Sequence, residues 1–98
     1  MKYSLKLYVT DEVGKSVRAL ANVKKLAAEL EPELHEIEIV DILKEPEMAV
    51  EDHIIAVPAL IKKLPLPVRR VIGDLSDRES VINALGMAGI VKSGGGDL

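Results

Sequence analysis

Cysteine is absent from the 98 residues, and so are phenylalanine and tryptophan. Without cysteine there is no disulfide frame, no thiolate nucleophile and no C-x-x-C redox pair. Such a chain suits a reducing compartment, and the expected location is the cytoplasm. The aromatics are two tyrosines, Tyr3 and Tyr8. The core must therefore be built from Leu, Ile, Val and Ala. Platforms for stacking single-stranded nucleic acid are missing. Net charge is -3, so no basic excess attracts phosphate backbones or anionic membranes. No apolar run approaches the ~20 residues of a membrane span. The opening stretch MKYSLKLYVT alternates and carries Lys6, unlike the apolar region of a signal peptide.

What is present suits one ordinary globule. Hydrophobic residues make up 48% and charged residues 30%, and the length allows one modest core. The expected domain covers residues 1–91, with a flexible tail over 92–98 and no internal repeat. Tyr3, Leu5, Leu7 and Val9 alternate with Ser4, Lys6, Tyr8 and Thr10, which predicts a half-buried strand. From Ser16 to Glu31 the period changes. Val17, Leu20, Val23, Leu26 or Ala27, and Leu30 form the stripe of an amphipathic helix capped by Ser16 and ended by Pro32. Residues 37–43, IEIVDIL, read as a second strand. It is more continuously apolar and so is expected nearer the centre of the sheet. A short helix follows at Pro46, with Glu45 and Glu47 at its positive end.

Two further strands, IIAVPALIKK and VRRVIGDL, flank Leu64-Pro65-Leu66-Pro67. Ser76 and Glu79 then form an S-x-x-E capping box. The last helix it starts carries Val81, Ile82, Leu85 and Ala88, and is weakened by Gly86 and Gly89. The order βαβαββα is that of thioredoxin-like domains. Pro58 interrupts an otherwise strand-like run. It fits the cis-proline that opens the third strand of that fold, where no ladder hydrogen bond is yet required.

Candidate sites are few. The redox cysteines of a thioredoxin are replaced by VTDEVGKS. Gly14-Lys15-Ser16 resembles the end of a P-loop, but the motif needs glycine at position 9, which is Val9, and Asp11 and Glu12 repel phosphate. No cofactor is expected. His35 and His53 lack ligand partners at metal-binding spacing, so no metal is expected. Glu45, Glu47, Glu51 and Asp52 read as a solvated acidic face or a partner-binding one. Lys62, Lys63, Arg69 and Arg70 bracket the LPLP turn. They concentrate positive charge at one end, which favours a protein partner of mixed charge over nucleic acid.

Longer stretches carry a more specific signal. LKLYV, SVRAL, VDILKEPEMAVED and VPALIKKLPLPVRRVIGDLSDRE together resemble the KaiB family of circadian clock proteins, from about Leu5 to Leu85. The thioredoxin-like sensor domain of the clock-output histidine kinase is the nearest relative to separate from it. The resemblance implies a non-catalytic regulator. It docks on the N-terminal ATPase ring of KaiC, sequesters KaiA and displaces the sensor histidine kinase. It also implies a metamorphic chain: a thioredoxin-like monomer, favoured here, or a homotetramer of the KaiB ground-state βαββααβ fold. Tyr8, Arg18, Glu51, Asp52, Arg69 and Arg70 match as partner-facing residues. Pro58, Pro65 and Pro67 match as switch or scaffold prolines.

The chain also departs from the family. His53 stands where lysine is usual, and Ala84 and Gly86 replace a glycine and an acidic residue in the last helix. The two changes push helix propensity in opposite directions and so bear on the choice of fold. An alternative reading is a KaiB-like thioredoxin-fold adaptor with a non-clock signalling or stress partner. An enzyme using the groove, such as a glutathione transferase, has no nucleophile to support it.

Overall fold

The structure, a computed structural model, describes residues 2–10, 14–30 and 32–89. The expected tail and the residues between Thr10 and Gly14 lie outside the described residues. The elements are β1 (Tyr3–Val9), α1 (Lys15–Ala28), a 3-10 turn (Pro32–Leu34), β2 (His35–Asp41), α2 (Pro46–Glu51), β3 (Ala59–Leu64), β4 (Arg69–Ile72) and α3 (Arg78–Leu85). The expected βαβαββα order is present.

The sheet runs β2-β1-β3-β4. β1 pairs in parallel with β2 and antiparallel with β3, and β3 pairs antiparallel with β4. β2 therefore lies at an edge rather than near the centre. Its apolar look arises from Ile37 and Ile39, which alternate with Glu36 and Glu38, and Ile39 stays largely exposed. The central positions go to β1 and β3, whose Leu5, Leu7, Leu60 and Ile61 are fully buried.

Each face of the sheet has its own core. On one side Leu5, Leu7, Val9 and Leu60 pack against Ala19, Val23 and Leu26 of α1 and against Val81, Ile82 and Leu85 of α3. On the other, Tyr8, Val40 and Ile61 pack beneath Met48 and Ala49 of α2 and against Ile42, Ile54 and Val57. β1 is thus buried on both faces towards its end, beyond the half-buried strand its alternation predicts. The second face closes only because α2 is laid across it. The helical stripe of α1 is rotated from the predicted one. Ser16 and Ala19 are buried while Val17 is exposed. Ser16 does not cap the helix; its hydroxyl accepts the Thr10 N–H at 3.2 Å and ties α1 to the end of β1.

Pro58 is buried directly before β3, and the Val57–Pro58 bond is cis, as are Leu64–Pro65 and Leu66–Pro67. Its missing N–H falls where the ladder has not begun, and its carbonyl accepts from Gly73 at 2.9 Å.

The cap of α3 lies one residue later than predicted. Asp77 accepts the Ser80 N–H at 3.2 Å, while Asp74 accepts from Ser76 at 3.1 Å. Nor does the helix run through Gly86. Gly86 adopts φ 73° and ends it. The Met87 N–H reaches the Ile82 carbonyl at 3.0 Å, and the Gly86 N–H reaches Asn83 at 3.1 Å. These are the two hydrogen bonds of a Schellman ending, and buried Met87 and Ile82 belong to the same core. A Cβ on Gly86 would meet nothing within 4 Å, so only the left-handed backbone resists a side chain. Gly86→Ala is expected to lower stability by about 1 kcal/mol, read as a lower urea midpoint; an unchanged midpoint would contradict this role.

Candidate functional site

α2 has only six residues, too few to hold a helix unaided. Pro46 at its start and Glu47 in its first turn suit the N-terminal end. The rest of its stability comes from the sheet beneath. The Tyr8 hydroxyl rises from β1, hydrogen-bonds Asp52 Oδ2 and lies 3.0 Å from the Met48 carbonyl. Lys63 of β3 donates to Asp52 Oδ1. Lys6, two residues before Tyr8 on the same strand face, places its Nζ 3.6 Å from Asp52 Oδ2. Asp52 is 8% exposed and Tyr8 0%.

The electrostatics follow from this crowding. Burial works against the Asp52 charge. Hydrogen bonds from Lys63 and Tyr8, with the charges of Lys63 and Lys6, outweigh it and hold the carboxyl below its ordinary value. Burial and the adjacent Asp52 push the Tyr8 phenol well above its own.

α2 ends as α3 does. The His53 N–H reaches the Val50 carbonyl at 3.1 Å and the Ile54 N–H reaches Ala49 at 2.9 Å. His53 occupies the left-handed position with φ 56°, where glycine is usual. Arg70 donates to the His53 carbonyl at 3.2 Å and ties β4 to this corner.

The predicted site residues separate into groups. Tyr8 and Asp52 are buried beneath the surface that the α2 corner presents. The acidic cluster accordingly divides, with Glu45, Glu47 and Glu51 exposed and Asp52 withdrawn into the ion network. Glu51 and Arg70 are exposed beside that corner. Arg69 pairs with Lys62, one register step from Arg70, and so projects from the opposite side of the sheet. Arg18 is on α1, 3.2 Å from Asp74. The expected concentration of positive charge at the LPLP turn is likewise split across two faces. Lys62 is only 4% exposed; its Nζ donates to the Pro65 carbonyl at 2.9 Å and lies 6.0 Å from the Tyr3 ring centre.

Sequence reasoning missed Lys6 and Lys63 as partners of Asp52. The alternation that puts Lys6 beside Tyr8 was the available signal. It also missed exposed apolar groups. Val50 on α2 is 74% exposed and Ile55 is 89% exposed. Ile72 lies on the strand face of Arg70 and is half exposed. Large apolar side chains left in water beside charges of both signs suit protein recognition. Among the described residues no group of three or more His, Asp or Glu could hold a metal ion, and no helix is long and apolar enough to cross a membrane.

The KaiB domain family model matches residues 6–87. The chain belongs to the KaiB family. The circadian clock oscillator protein KaiB of Synechococcus elongatus is 49% identical over 83 residues, covering 85% of this chain and 81% of that protein. Its counterpart in Microcystis aeruginosa is 48% identical, covering 85% and 80%. By fold, this KaiB-family chain is similar to the N-terminal domain of Synechococcus elongatus SasA, with TM-score 0.68 and 22% identity over 88% of this chain and 85% of that one. It is also similar to mitochondrial thioredoxin 3 of Saccharomyces cerevisiae, with TM-score 0.68 and 13% identity over 87% and 77%. The described arrangement is therefore thioredoxin-like, as the order of elements predicts.

Two tests address the Tyr8–Asp52 network. Tyr8→Phe removes one donor to a buried carboxylate and is expected to cost about 1–2 kcal/mol, measured by urea unfolding. The Asp52 carboxyl is depressed on folding. Its contribution is complete above the unfolded value of about 3.9 and is lost as pH falls towards the folded one. Wild-type stability should decline through this window, and Asp52→Asn should be weaker at pH 7 with a shallower acid slope. Parallel pH profiles for the two chains would remove Asp52 from the account.

Proposed function

We propose that the chain is a non-catalytic circadian clock regulator. It docks on the N-terminal ATPase ring of KaiC, sequesters KaiA and displaces the sensor histidine kinase, in the cytoplasm. The observation that carries this reading is a pair of likenesses. By sequence the chain is a KaiB-family member, while by fold it is similar to the N-terminal domain of SasA. Two chains of one shape fit one docking site in turn, so occupation by the first excludes the second.

The surface supports the same reading. Glu51, Arg70, Val50, Ile55 and Ile72 collect around the end of α2 and supply apolar area with charges of both signs. Tyr8 and Asp52 act beneath them as positioning residues. Arg18 and Arg69 project elsewhere and lie outside this contact. The family's second fold, in which the half of the chain after α2 re-forms, is part of the proposal. The arrangement described here is the binding-competent one.

Native mass spectrometry with a KaiC hexamer tests this directly. Loading of up to one chain per KaiC subunit is expected, and absence of loading would defeat the reading. Arg70→Glu and Val50→Asp should each weaken loading about tenfold, equivalent to about 1.4 kcal/mol. Arg69→Glu should leave it within about twofold; equal losses at both arginines would place the contact elsewhere.

A further inference from the structure

β4 closes one end of the sheet, and among the described residues no strand pairs with its outer side. The direction of its backbone groups follows from one hydrogen bond. The Gly73 N–H donates to the Pro58 carbonyl at 2.9 Å, which makes Gly73 and Pro58 a bonded pair of the antiparallel ladder. Bonded and non-bonded pairs alternate along such a ladder. Ala59 lies opposite Ile72, Leu60 opposite Val71, Ile61 opposite Arg70 and Lys62 opposite Arg69. Val71 and Arg69 therefore turn their N–H and C=O groups towards β3. Arg70 and Ile72 turn theirs outwards. Among the described residues no backbone hydrogen bond beyond the ladders of the sheet involves either of them.

Positive charge gathers on the same edge. Among the described residues Lys62, Arg69 and Arg70 form no ion pair. Arg70 donates to the His53 carbonyl and Lys62 to the Pro65 carbonyl, both uncharged acceptors. Lys62 and Arg69 stand directly opposite each other, a like-charge pair that weakens a sheet. Arg69 and Arg70 are exposed on opposite faces of the strand. An added strand would meet one guanidinium on each face. Charged side chains on an edge discourage pairing with a like edge. They do not discourage an acidic strand, and the net charge of -3 makes this basic edge a local feature.

We propose that β4 receives an extended acidic segment of a partner protein as a fifth strand. Two consecutive acidic residues of that segment lie opposite Arg69 and Arg70, and apolar residues lie beside Val71 and Ile72. Main-chain hydrogen bonds to Arg70 and Ile72 hold the segment, and the two arginines select its sequence. The β2 edge of a second copy is a poorer occupant. It carries Glu36 and Glu38 on one face but Ile37 and Ile39 on the other. Its Asp41 carboxylate already accepts the Leu43 N–H at 2.9 Å, so Arg69 would stay unanswered. This strand addition requires no KaiC, and its test contains none.

The test is residue-resolved NMR on the whole chain, mixed with the capped peptide Thr-Val-Glu-Glu-Val-Thr at millimolar concentration. The peptide should move the Arg70 and Ile72 amide signals and slow their hydrogen exchange about threefold. The Arg69 and Val71 amides, already bonded to β3, should be unchanged. The counterpart Thr-Val-Lys-Lys-Val-Thr should have no effect. Ile72→Pro removes an outward N–H and spares the inner ladder, so it should abolish the response. If that chain does not fold, the double variant Arg69→Glu with Arg70→Glu carries the test and should prefer the lysine peptide. Four results would each overturn the proposal: no response at Arg70 and Ile72, an equal response at Arg69 and Val71, an equal response to both peptides, or self-association of the chain that Arg70→Glu abolishes, which would make a second copy the occupant.

Discussion

The hydrogen bond from the Tyr8 hydroxyl to the Asp52 carboxylate is the contact on which the α2 side of the molecule depends. It joins the middle of the sheet to the last turn of a helix too short to stand alone. Lys63 and Lys6 complete the charge balance, so the carboxylate is buried without being orphaned. With α2 seated, the second face of β1 becomes a core. The corner formed by Glu51, His53 and Arg70 then has a defined shape.

That corner presents a surface suited to binding. At this corner the groups with displaced titration are a carboxylate satisfied by two lysines and a phenol that donates to it. Both are withdrawn from the surface. What reaches solvent is Val50, Ile55, Ile72, Glu51 and Arg70.

A recurring feature is charge set against the helix that bears it. Asp52 at the end of α2, Glu29 at the end of α1 and Arg78 at the start of α3 are each unfavourable locally. Each is offset by a residue distant in sequence: Lys63 for Asp52, and the other member of the pair for Glu29 and Arg78. The partly exposed Glu29–Arg78 pair contributes on the order of 1 kcal/mol or less, whereas the Asp52 carboxylate is buried and would be left uncompensated without its partners.

Much of the fold was legible along the chain because it follows from local rules. The alternation of Leu5, Leu7 and Val9 predicts β1. Pro46 predicts the start of α2, and Pro58 marks a position just before a strand. The long match through LPLPVRRVIGDLSDRE indicates the family. The site was less legible. Tyr8 and Asp52 were readable as important but not as buried, because their environment is made by a helix some forty residues away. Gly86 read as a flaw inside a helix, although its left-handed backbone is what ends α3. Strand alternation and the positions of the prolines were thus settled by the sequence itself. The tertiary structure alone decided that β2 is an edge, that Arg69 and Arg70 part company and that Glu29 meets Arg78. Those outcomes depend on which distant faces are brought together, and no spacing along one segment encodes that.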